Sequence, residues 1–430
     1  MQQKTSKIII ISSILILLIL AGGFVYWWYF MGPASTILTT SEETNNQGGF
    51  SPLNRPAATR LGQVGTGVIG GIGNSSTTAE RPPVLRLLSA TPVGGYGAST
   101  TASTSVVRWI DRGRGNIYEA RGDTSSIATI SNTLLPRMYE SLWDKNLIAF
   151  VGQYLDAGND SIKTVITDIR KRVVPKVSST TPVVTDTNST TYELKGKMIS
   201  GDVIAVAESP KKDRILSVIN ENSRGIGYIS KFDGTGQTKL FDLPLAQIVA
   251  EWPEENTVTI TTKAGSTNVG YLYFIDTRTG FSKKVLGGFA GLSTRTNKGA
   301  TKVLVSVTNN NTVSSASYDI KTGKVTDTVF RTLADKCVWS EKVKENVYCA
   351  VPSNITAGAY PDDWYTGQAS FTDTIWRLNS NTGEIHKIAN LLEIGNVLID
   401  AYNLQIDSKD DFLYFMNKKD LSLWSLDLSN

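Results

Sequence analysis

The residues of this chain that can do chemistry gather in one short stretch. Asp362 and Asp363 stand side by side, flanked by Tyr360, Trp364 and Tyr365. Carboxylates beside aromatic rings can hold a sugar, a cation or a docked peptide, so these five residues form the candidate binding set. The competing reading makes the aromatics packing groups and the aspartates turn caps. A second pair stands out by spacing. Cys337 and Cys349 have Val343 as their midpoint, the centre of a Ser340–Asn346 turn. Opposed residues of an antiparallel hairpin bring their Cα atoms to about 4.5–5.5 Å, within reach of a disulfide. Two buried free thiols are the alternative.

The rest of the composition is informative by what it excludes. The chain has 430 residues with one histidine, His386, and 2 cysteines. A Ser-His-Asp triad would have to use that histidine, and neither a Cys2His2 nor an HExxH site can be built. No calcium loop of the D-x-D-x-D-G kind occurs, and the glycine-rich run at Gly65–Gly71 lacks the Lys-Ser/Thr of a phosphate loop. No catalytic residue, metal or cofactor is therefore read from the sequence. With 43 basic against 39 acidic residues the chain lacks the charge of a nucleic-acid reader. The basic cluster Arg170–Lys176 either touches anionic lipid or wall polymer or is a solvated loop. Arg121-Gly122-Asp123 is ordinary turn chemistry.

These residues need an address and a scaffold. Residues 8–30 carry no charge, which as a helix of about 1.5 Å per residue crosses a bilayer. Lys4 and Lys7 precede the run and the next basic residue is Arg55, so the positive-inside bias keeps residues 1–7 in the cytoplasm and exports the remainder. A cleaved signal peptide ending near Ala21-Gly22-Gly23 is the alternative; the apolar run continuing past Gly23 favours an uncleaved single-pass anchor. Residues 31–82, rich in Gly, Ser, Thr and Pro, read as a flexible linker.

From residue 83 to 430 the pattern becomes short β-branched and aromatic runs separated by turns. Four of these turns end in Gly236, Gly280, Gly323 and Gly383, at intervals of 44, 43 and 60 residues by their numbers. A second set of turns falls half a period away, after Ala205–Pro210, Ala250–Pro253, Val338–Ser340 and Leu404–Ser408. A period near 43 with four strands per unit specifies a β-propeller. Seven first strands are expected, starting near Pro92, Arg137, Asp202, Gln247, Gly288, Asp335 and Ile399. The seventh unit has three strands, so the lone strand at Val84–Ala90 should complete it and close the ring. No helical period is evident in this region. The long interval after Gly323 places Tyr360–Tyr365 in an insertion between the second and third strands of blade six.

The runs Val107–Asp111, Gly115–Glu119, Pro136–Trp143, Cys337–Ser340, Val347–Pro352 and Tyr360–Tyr365 resemble a family of membrane-anchored, WD40-like or TolB-like propellers from small-genome candidate-phylum bacteria. That resemblance implies a fold and an address, and no chemistry. The expectation is an all-β, seven-bladed propeller outside the cytoplasmic membrane that binds or scaffolds an envelope protein or surface polymer. The alternative is a carbohydrate-binding or carbohydrate-active propeller that uses Asp362 and Asp363.

Overall fold

The computed structural model describes residues 83–101, 104–132, 135–158, 160–171, 192–309 and 311–429. The expected cytoplasmic segment, membrane helix and linker (residues 1–82) and most of the basic excursion after Lys171 lie outside the described residues. Among the described residues, no helix is long and apolar enough to cross a membrane.

Strand order makes seven antiparallel sheets of four strands each. Blade one contains β2 (Val93–Thr101), β3 (Thr104–Asp111), β4 (Ile117–Arg121) and β5 (Ile127–Ser131). Blade two follows with β6 (Met138–Trp143), β7 (Ala149–Leu155), β8 (Ile162–Lys171) and β9 (Tyr192–Ile199). Blade three is β10 (Asp202–Glu208), β11 (Arg214–Glu221), β12 (Arg224–Lys231) and β13 (Thr238–Leu243). Blade four is β14 (Ile248–Glu254), β15 (Thr257–Thr262), β16 (Val269–Asp276) and β17 (Ser282–Ala290). Blade five is β18 (Ser293–Thr296), β19 (Lys302–Asn309), β20 (Thr312–Asp319) and β21 (Val325–Asp327). Blade six is β22 (Cys337–Trp339), β23 (Asn346–Pro352), β24 (Asp373–Asn379) and β25 (Ile385–Asn390). Blade seven holds β26 (Ala401–Ile406), β27 (Phe412–Asn417) and β28 (Leu423–Asp427), and its outer place is taken by β1 (Leu85–Ser89).

The ring closes through β1 and β28, with Leu85 opposite Leu426 and Leu87 opposite Trp424. Gly288 does not open blade five as its spacing suggested; it lies in β17, and blade five begins at Ser293. The run Leu286-Gly287-Gly288-Phe289 has glycines like those of a blade boundary, yet it still pairs with β16. Two short helices, α1 (Asp362–Tyr365) and α2 (Leu391–Gly395), and a 3-10 turn at Ala334–Lys336 also occur. Each is too short to leave a helical period in the sequence.

Burial explains the strand composition. Second strands lie between neighbouring blades on both faces, so β11 (RILSVINE) and β27 (FLYFMN) are almost wholly buried. Outer strands such as β17 (SKKVLGGFA) hold no fully buried residue, and Lys283 and Lys284 on that edge discourage strand addition. The core is a ring of apolar layers between blades. Tyr348 and Ile375 meet Leu404 and Leu413 between blades six and seven, and Tyr96 and Trp109 meet Tyr414 and Met416 between seven and one.

The repeated outer turns work as their residue types require. Asp276 Oδ1 accepts from the N–H groups of Arg278 (2.9 Å) and Thr279 (3.0 Å), and Asn379 Oδ1 from those of Asn381 (3.0 Å) and Thr382 (3.2 Å). Gly280 must be glycine twice over, because its φ is +71° and a Cβ there would sit 2.2 Å from the Leu240 carbonyl oxygen.

Candidate functional site

Residues 353–372 leave β23 and return to β24 as a strap over the face that carries the connections between blades. Its base is closed by Ser353 N–H donating to Thr372 O at 2.9 Å. From there the strap reaches over blade five, where Gly358 N–H donates to Asn311 O at 2.9 Å and Thr308 Oγ1 donates to Tyr360 O. It reaches blade four through Asp362, whose Oδ2 accepts from Ser266 N–H at 2.8 Å and Ser266 Oγ at 2.6 Å. On the other side Lys418 Nζ, from blade seven, donates to Tyr365 O at 3.4 Å. One loop thus touches four consecutive blades.

The five candidate residues divide between these tasks. Tyr360 is 1% exposed and Trp364 3% exposed, both packed with Val313, Leu333 and Phe371. They are the apolar filling under the strap, and no open ring face is left to either as a platform. Asp363 caps its own turn by accepting from Ala359 N–H at 2.8 Å. Tyr365 is half-buried and donates its hydroxyl to Asp335 Oδ2 at 3.2 Å. Burial first, and then the Asp335 carboxylate, push the Tyr365 phenol well above its ordinary range. The acid pair therefore does not face one ligand; Asp362 docks the strap and Asp363 shapes it.

Cys337 and Cys349 face each other across β22 and β23 and form a disulfide with Cα atoms 4.1 Å apart. His386 lies exposed on outer strand β25, beside Glu384 at 3.0 Å.

Beneath the strap lies a charged group that sequence reading missed. Lys336, the residue before Cys337, is fully buried, as are Asp373 at the start of β24 and Asp400 just before β26. Lys336 Nζ donates to Asp373 Oδ2 (2.8 Å), Asp400 Oδ1 (2.5 Å) and Ala401 O (2.9 Å). Asp400 also accepts from Trp364 Nε1 at 3.1 Å to each oxygen, from Phe371 N–H at 2.9 Å and from Ser370 Oγ at 3.2 Å. Asp373 Oδ2 accepts from Ala401 N–H at 2.6 Å, whereas its Oδ1 has no partner among the described residues. The rings of Trp364 and Phe371 stand 5.1 and 5.3 Å from the ammonium.

The two acids are driven apart. Burial raises the Asp373 carboxyl to about 6 against the pull of Lys336. Burial also acts on Asp400, but there Lys336 and the donors Phe371 N–H and Trp364 Nε1 prevail and the net shift is downward. Context could have exposed the group. Asp400 is a single charge inside Leu-Ile-Asp-Ala-Tyr, and Lys336 follows Asp335 inside Leu-Ala-Asp-Lys-Cys-Val-Trp, both at blade starts where solvated residues are unexpected.

At the opposite end, where first and second strands join, the central channel opens as a cavity of about 720 Å³ reached by all seven blades. Six of its lining charges are paired, Lys212 with Glu208 (3.0 Å), Arg295 with Glu251 (3.0 Å) and Lys298 with Glu341. No group of three or more His, Cys, Asp or Glu that could hold a metal occurs among the described residues.

No protein-family model matches the chain, and no curated protein does. Among solved structures it is similar to TolB from Acinetobacter baumannii, with 11% identity over 73% of this chain and 60% of that one, at a TM-score of 0.37. It is similar to a puromycin-hydrolyzing peptidase of Mycobacterium tuberculosis, with 11% identity over 77% of this chain and 53% of that one, at 0.48. The β-propeller domain of the Trilobed protease from Pyrococcus furiosus gives 11% identity over 77% and 94%, at 0.46. The chain thus spans 60% and 53% of the first two proteins. Structures similar to this chain include TolB-like β-propellers, and the seven-bladed architecture itself is carried by the sheet order.

Proposed function

We propose that this chain is a binding and scaffolding propeller, held outside the cytoplasmic membrane by residues 8–30 and a linker of residues 31–82. Its partner is an envelope protein or surface polymer that docks on the strap face. The address rests on the uncharged run and the placing of Lys4, Lys7 and Arg55, in line with the membrane-anchored propellers it resembles.

The observation that carries the binding reading is how the strap is fixed. Its reactive groups are spent on anchoring it to blades four to seven, while Thr366, Gly367, Gln368 and Ser370 at its crest are exposed. A surface held in advance loses little freedom on docking. The carbohydrate-active alternative needs two carboxylates about 5–10 Å apart facing one sugar. Asp362 and Asp363 instead accept hydrogen bonds from separate parts of the protein.

The test is a photo-crosslinking residue placed at Gln368 of the full chain in intact cells, with the same probe at Phe281 as control. Phe281 is 70% exposed in an outer turn of blade four. One discrete envelope adduct from Gln368 and none from Phe281 is expected. Equal labelling from both sites, or none from Gln368, overturns the reading; an adduct made of glycan alone revives the carbohydrate alternative.

A further inference from the structure

The buried Lys336 group has the parts needed to make a covalent bond within the protein. We propose that Lys336 Nζ and the Asp373 carboxyl condense to an amide, fastening the first strand of blade six to its third.

The geometry assigns a part to each neighbour. Asp400 Oδ1, 2.5 Å from the ammonium, is placed to take its proton. The amine so formed adds to Asp373 Cγ, and the Asp373 oxygen that gains charge, Oδ2, already holds the Ala401 N–H at 2.6 Å. The other oxygen, Oδ1, is the leaving group, and it is the one without a partner among the described residues. Two of the three ammonium protons are relayed through Asp400 to Oδ1, which departs as water. A C–N bond forms, a C–O bond breaks and the third proton stays on the amide nitrogen. One ammonium and one carboxylate become one amide and one water, with no change of oxidation state and no co-reactant.

The surroundings favour the product. All three side chains are excluded from solvent, under the rings of Trp364 and Phe371. Charges so placed carry a large desolvation cost, and condensation removes two of them. The opposite protonation tendencies of the acids suit the roles, since a protonated Asp373 is the better electrophile and an ionised Asp400 the better base. A lysine between two carboxylates can also rest as an ion pair, which is the outcome that the test must separate.

Tryptic mapping of the folded full chain does so. The peptides of residues 332–342 and 345–377 contain Lys336 and Asp373, and they also carry Cys337 and Cys349, so they are joined by the disulfide in any case. After reduction and alkylation the two should remain joined, lighter by one water than their sum. Trypsin should fail to cut after Lys336, and fragmentation should place the bond on Lys336 and Asp373. Two separate peptides with cleavage after Lys336, or a bond to Asp400, overturn the proposal. Asp400→Asn, shown to be folded by its circular dichroism, should lose the joined product; its persistence overturns the relay. If that variant does not fold, the wild-type map alone decides.

Discussion

Blades four and six are built on one plan and used differently. Each has a tryptophan near the end of its first strand, Trp252 and Trp339, and each closes its outer turn with an Asx cap, Asp276 and Asn379. Between second and third strands blade four needs only residues 263–268, whereas blade six inserts residues 353–372. At the entry to the first strand blade four has the exposed Gln247, and blade six has the buried Lys336. The repeat thus supplies sheets and turns, while the insertion brings a roof under which charged groups are shut away from water.

The comparison is broken most strongly at the buried charges. Asp400→Ala deprives Lys336 Nζ, Trp364 Nε1 and Phe371 N–H of a shared buried acceptor, and should cost about 3–5 kcal/mol, the scale for removing one member of a buried charged group. Gln247→Ala should stay within about 0.5 kcal/mol, as exposed positions do. Urea midpoints of the two variants measure the contrast, and equal midpoints would mean that the roofed group carries no special stability.

Next comes the bridge that blade six has and blade four lacks. The disulfide joins residues 12 apart in sequence, and opening it should cost about 2–4 kcal/mol. Reductant should lower the unfolding midpoint of the native chain and leave Cys337→Ser/Cys349→Ser unmoved. A midpoint indifferent to reductant in the native chain would refute this.

The smallest effect concerns the outer turns in acid. The Arg278 guanidinium and the turn N–H groups hold the Asp276 carboxyl well below its usual range, and the N–H and hydroxyl of Thr322 hold Asp319 down to about 2. A carboxyl depressed in the folded state stabilises above its unfolded value near 3.8, and that contribution is lost as pH falls towards 2. Blade six cannot show this at Asn379, because the amide does not titrate. Asp276→Asn combined with Asp319→Asn should therefore flatten the acid limb of the stability curve between about pH 4 and 2, while Asn379→Asp should steepen it. Identical acid limbs in all three proteins would sink the assignment.

The architecture was legible because a propeller repeats its local rules. Gly236, Gly280, Gly323 and Gly383 mark one turn in four blades, and the lone strand at Val84–Ala90 had a place waiting beside β28. The Cys337–Cys349 register followed from hairpin symmetry. The strap was legible as an insertion, but not in the direction that its side chains take. Trp364 and Tyr360 could be read as platform or as filling, because sequence does not say which face of a loop meets the protein. Lys336, Asp373 and Asp400 escaped for a further reason. They lie 37 and 27 residues apart by their numbers; the sheet of blade six brings Lys336 to Asp373, and the packing of blade seven adds Asp400.

The pairing of β1 with β28 also has a consequence in time. Leu85 must find Leu426, 341 residues away by their numbers. Contacts so distant along a chain are slow to form, and until this one does, β28 offers an open edge on which another chain can add a strand. The seam of the ring is thus the pairing with the longest search, and its open edge is the exposure that search leaves.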